Sequence, residues 1–132
     1  MYSIASAYFD PAKISAFDID ENALQVAREN LDHYELTETV DLKHLDILKS
    51  GMENQFDTVI MNPPFGTKNN EGVDMELLMA ACKALKPGGQ VFSLHKASTK
   101  AYIEKFIREK VEGCEGEMLN IINFDLPKTY KF

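Results

Sequence analysis

The chain is poor in cysteine and has no long apolar run. Cys82 and Cys114, the only two cysteines, lie far apart and fit no metal-ligand spacing. Both are read as reduced thiols, one on a helix and one in a Gly-rich turn. His33, His44 and His95 are scattered and form no ligand set, so no metal site is expected. Apolar stretches as short as Thr58 to Met61 exclude a membrane-spanning helix. The first residues carry no basic cluster ahead of an apolar segment, so no signal peptide is expected. The expected location is therefore intracellular, in the cytoplasm and/or the nucleus. Repeats, low-complexity tracts and linkers are also lacking, and 132 residues suit a single domain, 1–132.

Basic residues are in short supply overall, and the net charge of −7 argues at first against a nucleic-acid partner. The distribution says more than the sum. Residues 1–82 carry 5 Lys/Arg against 15 Asp/Glu, whereas residues 83–132 carry 9 against 6. A basic second part is compatible with local phosphate contacts, and equally with solvated surface charge.

What is present is an alternation of strand and helix patterns. Ile14 to Ile19 reads as a short buried strand. Asp20 is suited to cap a following helix, with Glu21 at its positive end and Leu24, Ala27, Leu31 and Tyr34 at helical spacing. Val40 to Leu45 alternates as a half-buried strand does. Thr58 to Met61 is unbroken and apolar, the pattern of a central parallel strand covered on both faces. Met75 to Leu85 predicts a helix that stops at Lys86-Pro87-Gly88-Gly89, and Gln90 to Leu94 restarts a strand. Ser98 or Thr99 can cap a helix bearing Tyr102, Ile103, Phe106, Ile107 and Val111, and Met118 to Phe124 predicts a last strand. Such repeated units imply an α/β fold with a parallel sheet and right-handed crossovers. In open sheets of this kind ligands gather beyond the carboxyl ends of the strands. Asp18, Asp46, Asn62 and His95 end the strands and are expected along one edge.

The segment richest in chemistry is Asn62-Pro63-Pro64-Phe65. Two successive prolines lack N–H groups, fix φ and hold the preceding residues extended. The Asn62 side chain and the Pro63 carbonyl can then aim two acceptor oxygens at one spot, a match for a planar amine with two N–H bonds. An adenine N6 amine is a weak nucleophile because its lone pair is delocalised into the ring. Acceptors on both N–H bonds favour electron density on nitrogen. Phe65 supplies a face for stacking a flipped base, an interaction of roughly 1–3 kcal/mol. The bland alternative is an ordinary Asn/Pro loop.

These residues at the end of a strand resemble class I S-adenosylmethionine-dependent methyltransferases acting on exocyclic or amide-like amines. The longer run from Asn62 to Met75 resembles the methyltransferase-like enzymes that modify one adenine in small-subunit ribosomal RNA. Phe17 to Leu24, Phe56 to Met61, Ser93 to Lys96 and Asp125 to Phe132 support it. The resemblance implies a Rossmann-like sheet with helices on both faces and S-adenosyl-L-methionine as cofactor. It implies methyl transfer to adenine N6 in RNA, with Asn62, Pro63, Pro64 and Phe65 as the catalytic set. It further implies that Asp18 accepts from the cofactor ribose hydroxyls, with Ile19 against the adenine ring. Asp46 and Ile47 fall near the cofactor's adenine amine, and Asn62 at the junction of cofactor and substrate. Phe65, Lys68, Asn69, His95 and Lys96 fall on the RNA side. Asp18 can otherwise be read as part of a helix cap, Asp46 as a loop carboxylate, and His95 as a packed strand-end residue. A small zinc-binding activator subunit is the implied partner.

The chain departs from this family in two respects. Its first glycine is Gly51, so no glycine-rich turn precedes Asp18. Met1 to Lys13 looks like the remainder of the helix after such a turn, and a final strand past Phe132 is missing by comparison. A domain truncated at both ends is expected, with poor cofactor binding by this polypeptide. Two other functions remain open from sequence. One is a glutamine-amide protein methyltransferase, whose motif ends in Tyr. The other is a non-catalytic RNA-binding remnant of the fold.

Overall fold

A computed structural model describes residues 1–64 and 72–123. The backbone divides into two compact units, Met1–Met52 and Glu53–Phe132. Each is built around one pair of parallel strands.

In the first unit, α1 (Tyr2–Ala7) leads to β1 (Ile14–Asp18), α2 (Glu21–His33) and β2 (Val40–His44). The boundary between β1 and α2 is set by side chains. Asp20 is extended at φ −93°, and its Oδ1 accepts from Asn22 N at 2.8 Å, satisfying one free donor of the first turn. From there Leu24 and Leu31 fall on one helical stripe, and both are buried. Ile14, Leu31 and Val40 form the core, flanked by Ile4, Ala7, Ala16, Leu36 and Leu42. β1 and β2 pair in parallel from Ile14↔Val40 to Asp18↔His44. Their carboxyl ends are therefore level. Leu45 N donates to Asp18 O at 2.9 Å and carries the pairing one residue further.

The second unit runs β3 (Phe56–Met61), α3 (Val73–Ala84), β4 (Leu85–Ser93) and α4 (Lys100–Lys110). Met75, Leu78, Ala81 and Ala84 bury one stripe of α3, and α3 packs on β4. Asn54 N and Gln55 N bond the carbonyls of Lys83 and Ala84 at 3.0 and 2.8 Å, which satisfies the last turn of α3. Among the described residues no helix is long and apolar enough to cross a membrane.

Four sequence expectations need correction. The strand ending at Met61 is not covered on both faces: Ile60 is 45% exposed, and its register partner Phe92 is 41% exposed. The strand expected from Gln90 already begins at Leu85 and passes through Pro87-Gly88-Gly89. Only Phe56 to Thr58 on β3 spans Leu85 to Gln90 on β4, so the extra residues bulge. Gly88 takes φ +82°, and a Cβ on Gly89 would lie 2.9 Å from Asp57 O; both glycines serve the bulge. Thr99 stands at the N-cap of α4, but neither it nor Ser98 caps the helix through a side chain; the Thr99 hydroxyl donates back to Lys96 O at 2.8 Å instead. Finally, residues 118–123 of the expected last strand are not in a strand, because among the described residues no neighbour pairs with them. Phe124 and the stretch that follows it lie outside the described residues.

Candidate functional site

The strand ends of the two units carry most of the polar residues singled out from sequence. In the first unit Asp18 closes β1 and is exposed. Its Oδ1 accepts from Asp20 N at 2.9 Å, and among the described residues its Oδ2 takes no hydrogen bond. Ile19 follows with 63% of its surface exposed, an apolar group left in solvent beside a carboxylate. His44, which sequence reading placed only on a strand, closes the same corner. Its Nε2 lies 2.9 Å from Ile19 O and its Nδ1 3.3 Å from Glu21 Oε2. The signal that could have found it is the polar residue ending the second half-buried strand.

Asp46, two residues beyond β2, caps a 3-10 turn, Ile47–Lys49. Its Oδ1 accepts from Leu48 N at 3.1 Å and its Oδ2 meets Lys49 Nζ at 3.0 Å. The Lys49 ammonium bonded to it holds the Asp46 carboxyl below the usual range, with the Leu48 N–H adding to the effect. Asp46 thus stays ionised as a cap. Since β1 and β2 end level, Asp18, Ile19, Asp46 and Ile47 occupy one edge of this unit.

In the second unit Met61 ends β3 and the chain enters Asn62-Pro63-Pro64. Asn62 is exposed, Pro63 buried and Pro64 exposed. The turn is anchored from below: Met61 pairs with Ser93, and Leu94 N donates to Met61 O at 3.2 Å. Phe65, Lys68 and Asn69 lie outside the described residues.

His95 follows the end of β4 and is not open to solvent, its side chain being only 12% exposed. Its Nε2 lies 2.8 Å from Ser93 Oγ, and its Nδ1 lies 3.8 Å from Asp74 Oδ2 on the first turn of α3. The carboxylate side favours the proton on Nδ1, so the Ser93 hydroxyl donates to Nε2. Burial pushes the His95 imidazolium down, with the Asp74 charge opposing it. The ring is therefore neutral at pH 7. Sequence reading had neither Ser93 nor Asp74 as a partner of His95. The period-2 spacing of Ser93 and His95 was the available signal for the first pairing. Lys96 is exposed, and its carbonyl accepts from Thr99 N at 3.0 Å and Thr99 Oγ1 at 2.8 Å.

Chemically, the first unit offers a carboxylate oxygen, an acceptor, beside an exposed aliphatic side chain, a pair that suits a vicinal diol next to a planar ring. Such a pair fits the ribose and adenine of S-adenosylmethionine. The second unit offers an exposed amide on a stiff turn. Among the described residues no cluster of side chains could hold a metal ion.

A family model described as the methyltransferase small domain matches residues 1–120. An rRNA N(6)-adenosine-methyltransferase of Danio rerio is 41% identical over 98% of this chain and 61% of its own length. One of Caenorhabditis elegans is 37% identical over 100% of this chain and 63% of its own. The chain thus spans a little over three fifths of these relatives. An S-adenosylmethionine-dependent O-methyltransferase of Thermotoga maritima superposes with a TM-score of 0.61 at 22% identity. That match covers 74% of this chain and 34% of the other, and it shares the α/β fold.

Proposed function

Because the chain belongs to the methyltransferase small domain family, we propose that it serves S-adenosylmethionine-dependent methylation of an adenine N6 amine in ribosomal RNA. The observation that carries this reading is Asn62, exposed at the carboxyl end of β3 and followed by two prolines. Support for the RNA substrate comes from the rRNA N(6)-adenosine-methyltransferases it resembles over nearly its whole length.

In this reading Asp18 Oδ2 accepts from the ribose hydroxyls, Ile19 lies against the adenine ring, and Asp46 and Ile47 border its amine. The cofactor, when bound, supplies an electrophilic methyl group. Asn62 Oδ1 and the Pro63 carbonyl accept from the two N–H bonds of the target amine. They draw electron density onto nitrogen and fix its direction of approach. Stiffness is the contribution of Pro63 and Pro64, since a turn that need not reorganise loses less of the barrier reduction. The extra proton on nitrogen leaves after transfer, so no strong base is required. Phe65 stacks on the base, and Lys68, Asn69 and Lys96 face the RNA. A small zinc-binding activator subunit belongs to the same reading, supported by the resemblance of the motifs alone. So does a site of action in the cytoplasm and/or the nucleus, where rRNA is made and used.

The test is label transfer from methyl-tritiated cofactor, at saturating concentration, to small-subunit rRNA. Digestion to nucleosides should give N6-methyladenosine, and Asn62→Ala should lower kcat on the order of 100-fold. Label on protein glutamine alone, or no label on RNA, overturns the proposal.

A further inference from the structure

Ser93 at the end of β4, His95 just beyond it and Asp74 on the first turn of α3 are brought together. The contact is a line of three polar groups, Ser93 Oγ to His95 Nε2 at 2.8 Å and His95 Nδ1 to Asp74 Oδ2 at 3.8 Å. It is also secluded: the His95 and Asp74 side chains are 12% and 20% exposed. A polar group taken this far out of water costs stability unless it is partnered, so such a line is kept for what it holds in place. What it adjoins is the turn proposed above to carry the acceptors. Ser93 is the register partner of Met61, and Leu94 N bonds Met61 O, so residues 93–95 lie directly against the base of Asn62-Pro63.

We propose that Asp74, His95 and Ser93 form a positioning latch that clamps the first turn of α3 to the carboxyl end of β4 and thereby holds the Asn62–Pro63 acceptors in place. His95 is then a positioning residue rather than an RNA contact. Its Nε2 is bonded to a hydroxyl, and its Nδ1 faces a carboxylate 3.8 Å away, close enough for attraction between charges though not for a hydrogen bond. The Asp74 carboxylate sets the tautomer, leaving Nε2 as the acceptor for Ser93, as a carboxylate orients a histidine elsewhere in protein chemistry. Burial keeps the ring uncharged near neutrality, which leaves Nε2 able to accept from the Ser93 hydroxyl.

The inference rests on the methyltransferase reading for its effect on rate, but its geometry can be tested without turnover. Nitrogen-15 NMR of the full chain labelled at histidine should show His95 as the neutral, Nδ1-protonated tautomer at pH 7.5. The signature should be lost in Asp74→Asn. In the methyl-transfer assay, Ser93→Ala, Asp74→Asn and His95→Gln should each lower kcat about 10- to 100-fold, with the KM for RNA nearly unchanged. The double variant of Asp74 and His95 should be little worse than either single one, as expected of parts acting together. A raised KM with intact kcat would mean that His95 touches the RNA, and the latch is overturned. An Nε2-protonated or charged ring in the unmodified protein overturns it as well. Absence of RNA methylation by the unmodified protein would sink the functional reading, while the tautomer measurement still decides the latch.

Discussion

At the scale of the residue, the same side-chain type behaves according to what surrounds it. Cys82, half buried on α3 with Cys114 beside it, has its thiol pushed up to about 12, first by burial and then by the neighbouring sulfur. Its ordinary value is 9.0, so at pH 8 its thiolate fraction falls about a thousandfold. Iodoacetamide at pH 8 should therefore label Cys82 very slowly in the folded protein and normally in denaturant. Rapid labelling of Cys82 in the native state, mapped by mass spectrometry, would contradict that. Sequence could show only that Cys82 lies on a helical stripe; its pairing with a sulfur 32 positions on depends on where the turn beyond α4 packs. The same holds for His95. Its place at a strand end was legible, but the partner on α3 was not, because nothing local links residue 74 to residue 95. Asn62 was legible for the opposite reason, since two prolines dictate the geometry of the turn from within the motif itself.

At the scale of the element, side chains that end helices are the most readable feature. Asp20 was expected to cap α2, and it does so through Asn22 N. Replacing it, Asp20→Ala, should lower stability by about 1 kcal/mol, seen as an earlier denaturant midpoint with the slope unchanged. An unshifted midpoint would show that α2 is held by Leu24 and Leu31 alone. Strand limits were less legible where two rules compete. Pro87-Gly88-Gly89 signals a stop, yet β4 carries it as a bulge, because Gly88 tolerates a positive φ and Gly89 lets Asp57 O approach. Lys86 Nζ meets Asp57 Oδ2 at 2.8 Å across the same bulge, but both side chains are well exposed, so the pair adds little. The apolar run ending at Met61 was misread as fully covered, since continuity of apolar residues reports tolerance of burial and not burial itself.

At the scale of the whole molecule, charge is the property that most constrains the proposed partner. A polypeptide of net charge −7 is repelled by RNA at long range. Binding must then rely on the Lys and Arg side chains gathered in residues 83–132, at short range. RNA affinity should fall steeply as salt rises from 50 to 200 mM, on the order of tenfold or more. A flat salt dependence in a filter-binding titration would show that phosphate contacts do not hold the RNA. The α/β class and parallel pairing were legible from the alternation of patterns alone. The grouping of strands into two pairs was not, because hydrophobic spacing identifies strands without saying which neighbour each one takes.

Ile60 and Phe92 stand opposite one another on the outward side of β3 and β4, with Leu94 next in line at 42% exposure. Oily side chains left bare in this way attract one another across molecules. Concentrated solutions should scatter more light as they are warmed, and a fluorescent hydrophobic dye should brighten in native buffer. Replacing Ile60 and Phe92 with threonine should quiet both signals while leaving the parallel pairing beneath them intact.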